Sequence, residues 1–171
     1  MFPRLPYQFC PMCGSDNFTP QSDNLLRCAQ CDFHFHVNPV VAVAGILADA
    51  TGRVLLIRRA KEPAKGKLAM PGGFVDLDET GEDALRREIK EEVNLDLRDV
   101  KYLASFPNRY FYRGITYPVL DLFFTARIDS WDEAKALAEV DSFVVCRPAE
   151  VKPGELAFES MVRAWNSFRS P

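Results

Sequence analysis

Glu91 and Glu92 follow Glu88 at three and four residues. On a helix that spacing puts the three carboxylates on one face, about 5–6 Å apart at Cβ. Acids held so close repel one another, and a hard divalent cation with oxygen ligands, Mg2+ or Mn2+, resolves the repulsion. Cations placed there can bind a diphosphate, neutralise its charge and acidify a coordinated water, which equips a site for phosphoanhydride hydrolysis. Spacing alone favours the plainer reading of a solvated acidic helix face. The residues around the glutamates must decide between the two.

A second constellation lies nearer the N-terminus. Cys10, Cys13, Cys28 and Cys31 form two Cys-x-x-Cys pairs separated by fourteen residues. Each pair can turn both thiolates toward one ion, and two pairs close a tetrahedral sulfur shell that suits zinc. A closed shell leaves no place for water or substrate, so the site is expected to be structural and to order a segment too small for its own core. Four thiolates bind iron equally well in a rubredoxin-type site, and a pair of disulfides is the remaining alternative, disfavoured without a secretory signal. The arrangement resembles a zinc ribbon over residues 9–36. His34 and His36 read as strand residues rather than further ligands, and Cys146 as a small apolar strand residue.

The elements that must position these groups follow from periodicity. Residues 40–47 are an apolar run of strand character, and residues 54–57 form a partner strand across the turn-forming Asp49-Ala50-Thr51-Gly52, giving a hairpin. Residues 61–67 make a basic loop, and Pro71-Gly72-Gly73 a bend. A helix is expected over residues 80–93. Thr80 is its N-cap with Asp83 three residues on, Ala84, Leu85, Ile89 and Val93 form its buried stripe, and Asn94 is its left-handed terminus. Further strands are expected at 100–106, 110–112, 119–128 and 143–147. A last amphipathic helix begins after Pro153-Gly154, burying Leu156, Met161, Trp165 and Phe168. Residues 134–139 have helix propensity but are too few to assign.

The glutamates sit in a longer pattern. Gly73, Glu79, Arg87, Glu88, Ile89, Glu91, Glu92 and Leu95 stand in register with the Nudix box, and residues 68–74 match its usual entry. The segment therefore resembles that of the Nudix hydrolases, with Asn94 as the single departure from a glycine. Asn also tolerates the left-handed conformation, so the helix end is expected to survive. The resemblance implies an α+β fold, a mixed sheet in an α/β/α sandwich, over residues 37–171, preceded by a zinc ribbon over residues 1–36. It implies that Glu88, Glu91 and Glu92, with the Gly73 carbonyl, bind magnesium or manganese, and that Glu79 and Arg87 orient the helix and loop. The general base is implied to be a glutamate of the box or of a later loop, Glu91 or Glu139, with Glu133 a weaker candidate. It also implies a homodimer, common among relatives.

A zinc ribbon ahead of a Nudix domain resembles the NADH pyrophosphatase branch, and Asn38-Pro39 fits the junction. Residues 104–110 lack the tryptophan of that branch's further motif, so NAD(H), ADP-ribose and other ADP-linked compounds stay open as substrates. Arg58, Arg109, Tyr110 and Tyr112 are the expected substrate contacts. Among the other cations, Arg59, Lys61, Lys67 and Arg113 could also meet phosphate. Most aromatics of residues 106–117 are expected to fill the core. Two other readings remain: a nucleotide-sensing regulator with a ribbon contact module, and an enzyme that removes a nucleotide cap from RNA. Retention of all four box glutamates favours catalysis.

Composition sets the frame. At 171 residues with 47% apolar and 26% charged side chains, a packed globular domain with a small accessory module is expected. A net charge of -3 argues against nucleic acid or an anionic membrane as partner. The opening residues lack a signal-length apolar stretch, and no run approaches a membrane span of about 20 residues, so a cytoplasmic location is expected.

Overall fold

The computed structural model describes residues 7–169. Two sheets organise them. The first is small and antiparallel, with β1 (Phe18–Ser22), β2 (Leu25–Cys28) and β3 (His34–His36) in that order. Its apolar interior is limited to Cys10, Phe18, Leu26 and Cys28, packed against Phe33, Phe35 and Val37. So few side chains supply little burial. His34 and His36 are exposed on β3, away from the thiols' cluster of ligand atoms.

The second sheet has six strands: β4 (Val40–Ala48), β5 (Val54–Arg59), β6 (Leu68–Ala69), β7 (Arg98–Tyr112), β8 (Ile115–Arg127) and β9 (Val140–Cys146). β4 and β8 run parallel and the other pairings are antiparallel, so the sheet is mixed. Two helices flank it, α1 (Gly81–Val93) and α2 (Glu159–Arg169). Leu85 of α1 packs beside Gly45 and Leu47, and the start of α1 meets Leu122 and Phe124. Ser160 and Arg163 of α2 instead reach Asp121 and Phe106. Successive strand residues face opposite sides, so α1 and α2 cover opposite faces and the α/β/α sandwich is formed.

α1 starts and stops where its sequence says. Thr80 Oγ1 accepts from the Asp83 amide at 3.1 Å. Asn94 adopts the left-handed conformation at φ 57°, donating its amide to Lys90 O and its side chain to Glu133 O. Ala84, Leu85, Ile89 and Val93 are fully buried.

Several expectations need correction. The expected strands at 100–106 and 110–112 are one strand, because Pro107 lies on β7, an edge strand, where a missing amide costs no ladder bond. Residues 134–139, which their sequence left unassigned, are not helical. Lys135 and Leu137 donate their amides to Val93 O and Glu92 O instead, satisfying carbonyls that the end of α1 leaves open. The last helix begins at Glu159, so Leu156 is buried ahead of it and Phe168 is only half-buried. Phe111 and Tyr112 are exposed rather than in the core. No helix among the described residues is long and apolar enough to cross a membrane.

The β4–β5 hairpin forms only next to its turn, where Leu47 pairs with Leu55 and Ala48 with Val54. Beyond that the strands splay. β5 takes β6 as its neighbour, while β4 is joined by residues 71–75: Gly45 donates to Pro71 O, Val43 to Gly73 O, and Val75 to Val41 O. A cavity opens in this splay.

Candidate active site

A cavity of about 400 Å³ is walled by Ala42, Val43 and Ala44 of β4 on one side and Ile57 and Arg59 of β5 on the other. Glu88, Glu91 and Glu92 of α1 line it, together with Gly72, Gly73 and Asp76. The helical spacing therefore brings the three acids to one opening. Gly72 and Gly73 let the bend close on them. Gly72 has a φ of 145° and its Cβ position would collide with Val43 O, so any side chain is excluded. A Cβ on Gly73 would collide with the Glu88 carboxylate itself.

Each acid has a distinct environment. Glu92 is the most enclosed: its Oε2 accepts from the Gly72 amide at 2.8 Å, and burial pushes its pKa up to about 8. Burial also raises Glu88, opposed by its bond from Arg87 Nη1 at 2.7 Å. The Glu91 side chain is over half exposed, with Arg87 Nη1 at 3.9 Å. Arg87 is the clamp of the assembly. Its Nε and Nη2 grip both oxygens of Glu79 at 3.0 and 2.9 Å, and Nη2 also reaches Phe74 O at 2.9 Å. Those bonds hold the Glu79 carboxyl below its ordinary range. Arg87 and Glu79 thus tie α1 to the bend, as expected from the sequence.

The donor set suits a hard cation. Two of three neighbouring carboxylates are largely buried and mutually repelling, which is costly without an opposing charge. The Gly73 carbonyl accepts from Val43 at 2.8 Å and retains a second lone pair.

Glu139 also borders the cavity, with a positive φ of 59°. Its carboxylate receives Lys61 Nζ at 2.7 Å, an exposed ion pair that holds it weakly. Glu133 supplies only a backbone acceptor to Asn94. Tyr110 lines the cavity, and Tyr112 packs on it with ring centroids 6.4 Å apart. Arg58 and Arg109 do not line it. Arg58 points away, donating to Gly66 O at 2.6 Å, and Arg109 faces outward between Asn108 and Tyr110, which both line the wall. Arg59 takes the place expected of Arg58. Strand alternation from Ile57 was the signal that could have found it. Asn108, Asp121, Phe158 and Met161 are further lining residues, placed there by β7, β8, the residue just before α2, and α2 itself.

In the small sheet, the four cysteine sulfurs lie within 4.8 Å of one another. Cys10 and Cys31 are 3.7 Å apart, and Cys13 and Cys28 3.6 Å. A tetrahedral zinc shell with bonds of about 2.3 Å requires sulfurs about 3.8 Å apart. Both knuckles close alike, Gly14 donating to Cys10 O and Asp32 to Cys28 O. The Cys31 amide, above all, brings the Cys28 thiol down to about 7, toward the thiolate that binds metal. This cluster can hold a metal ion.

The NUDIX domain family model matches residues 38–164. The chain belongs to the Nudix family. ADP-ribose pyrophosphatase of Methanocaldococcus jannaschii is 48% identical over 79 residues, 45% of this chain and 46% of that protein. NAD-capped RNA hydrolase NudC of Haemophilus influenzae is 29% identical over 104 residues, 59% of this chain and 39% of that protein. The match thus spans less than half the length of these two curated relatives. A Nudix hydrolase from Nitrosomonas europaea superposes with a TM-score of 0.69 at 25% identity, covering 92% of this chain and 88% of that one. Coverage that high exceeds what residues 37–171 could supply, so this Nudix domain and part of its cysteine segment are matched together.

Proposed function

We propose that the chain hydrolyses a diphosphate bond in an adenosine-diphosphate-linked compound of the ADP-ribose or NAD(H) type. The supporting observation is the enclosure of Glu92 and Glu88 beside Glu91 at the mouth of a cavity large enough for a nucleotide. Glu88, Glu91, Glu92 and the Gly73 carbonyl hold magnesium or manganese. When bound, such ions neutralise the diphosphate and acidify water. Glu91 or Glu139 accepts the proton of the attacking water as its oxygen bonds phosphorus and the bridging P–O bond breaks. Arg59 meets phosphate oxygens and Tyr110 the organic portion of the substrate. Arg58, Arg109 and Tyr112 lie off the cavity wall and are not direct substrate contacts in this reading.

A zinc ribbon held by Cys10, Cys13, Cys28 and Cys31 precedes and scaffolds the hydrolase domain, the boundary falling near residue 37. The segment through residue 36 has few cations, and those of its described part amount to Arg27, already paired with Asp32 at 2.6 Å. Nucleic acid is therefore not the favoured partner, and a small nucleotide derivative is.

A panel of NAD, NADH, ADP-ribose, FAD, diadenosine polyphosphates, nucleoside triphosphates and NAD-capped RNA, each with Mg2+ or Mn2+, tests this reading. Release of AMP from ADP-ribose or NAD(H) is expected. Turnover confined to triphosphates or RNA, or none at all, contradicts it.

A further inference from the structure

β8 carries an acid that the cation-binding face does not use. Asp121 is 7% exposed and lies in the cavity wall, between Ala42 of β4 and Phe106 of β7. Ser160 Oγ donates to its Oδ2 at 2.5 Å, and the Asn108 side chain donates to the same carboxylate. Asn108 is itself fixed, because its Oδ1 accepts from the Arg109 amide at 2.8 Å and its NH2 group is left to face Asp121. These partners are neutral, and a carboxylate accepts about four hydrogen bonds. Acceptor capacity therefore remains in a wall that, beside Asn108, is largely apolar and formed by Ala42, Val119, Tyr110, Phe158 and Met161.

Such a wall fits a flat heterocycle, with its N–H edge turned to the acid. The ladder fixes the distance from the diphosphate end. Phe74, which follows Gly73, bridges to Ala42, and Ala42 pairs with Asp121. Two strand spacings of about 4.8 Å separate them, a reach of the same order as that from a nucleobase to its diphosphate.

We propose that Asp121 is a specificity residue that accepts a hydrogen bond from the exocyclic amino group of adenine, with Ser160 and Asn108 positioning its carboxylate. The assignment rests on reading the cavity as a site for ADP-linked diphosphates. It deepens that reading by naming the group that selects the base. A 6-oxo base presents an acceptor in place of the amino donor, and two acceptors facing each other in a buried wall are rejected.

The test compares ADP-ribose with its hypoxanthine counterpart, IDP-ribose, in Mg2+. Wild type is expected to favour ADP-ribose in kcat/KM on the order of 100-fold, since a site built to accept from an amino group rejects the analogue lacking it. Asp121→Asn, whose amide can donate to the 6-oxo group, is expected to bring the ratio within about 10-fold. Ser160→Ala keeps the carboxylate but frees it, and is expected to give an intermediate ratio. The difference in Tm shift between ADP and IDP should follow the same order without depending on turnover. Should Asp121→Asn fail to fold, the wild-type ratio and Ser160→Ala still decide. Hydrolysis of ADP-ribose with a wild-type ratio near one, or a ratio unchanged in both variants, overturns the role of Asp121 and leaves the hydrolase reading standing. Hydrolysis of neither compound by wild type overturns both.

Discussion

The Gly72 amide donates to Glu92 Oε2 at 2.8 Å, joining the bend before α1 to the last turn of that helix. The bond fixes an enclosed carboxylate at the cavity's edge, and Gly72 can make it only because its backbone passes where no side chain fits. An acid anchored this way is held in one orientation, which would leave little reorganisation for binding the proposed cation.

Glu92→Gln should leave the fold intact and reduce turnover of the substrate by about 100- to 1000-fold, the loss typical of one preorganised electrostatic group. Kinetics beside a thermal melt separate the two effects. Activity within a few-fold of wild type would remove Glu92 from the chemistry.

The pH dependence follows from the same residue. Burial raises Glu92 to about 8, above the 4.5 of a free glutamate. The folded state therefore binds this proton more tightly than the unfolded state. Its stabilising contribution is complete below the unfolded value and is lost as pH rises through about 8. Metal-free protein should show a Tm contribution that declines between about pH 5 and pH 9, and that decline should flatten in Glu92→Gln. Because a cation competes with the proton, Mg2+ affinity should rise toward about pH 8 with proton release at neutral pH. Calorimetry in buffers of different ionisation enthalpy checks the release.

Gly73→Ala places a methyl group against the Glu88 carboxylate. Turnover should fall steeply while Gly72 and Glu92 keep their bond. An unchanged kcat would show that Glu88 can move without penalty.

Arg87 holds Glu79, Glu88 and Phe74 O together, and its side chain is 29% exposed. Arg87→Ala should cost about 1.5–3 kcal/mol, the range for hydrogen bonds to charged groups. Urea unfolding measures it. Arg87→Lys should recover only part, because a point charge cannot reproduce the forked contact with Glu79.

Cys28→Ser removes one sulfur from the four-cysteine cluster. Proteolysis of residues up to about 36 should accelerate strongly while later residues stay resistant, the outcome expected where folding free energy derives from metal. Equal resistance in wild type and variant would exclude a structural metal.

How much of this was legible in the sequence depends on the range of the forces involved. α1 is a local object: Thr80, the stripe through Val93 and Asn94 encode it within a few turns, and its ends match. The placement of Glu88, Glu91 and Glu92 on one face follows from the same periodicity. Residues 134–139 could not be read locally, because their amides are claimed by Glu92 and Val93 carbonyls some forty residues away. Nor could the splay of β4 from β5, which depends on residues 71–75 entering between them. That splay decides which strand face meets the cavity, and so why Arg59 and Asp121 line it and Arg58 does not. The unbroken β7 was hidden by Pro107, harmless only because its strand is at the sheet's edge.

Titration of Mn2+ into wild type and into Glu88→Gln, Glu91→Gln and Glu92→Gln, read by electron paramagnetic resonance of the free ion, is the most direct measurement. Saturable binding by wild type that weakens at least about 10-fold in Glu88→Gln and Glu92→Gln is the expected result. Binding of equal strength in all four proteins would show that the cation sits elsewhere, and the assignment of this helix face to metal and diphosphate would fall.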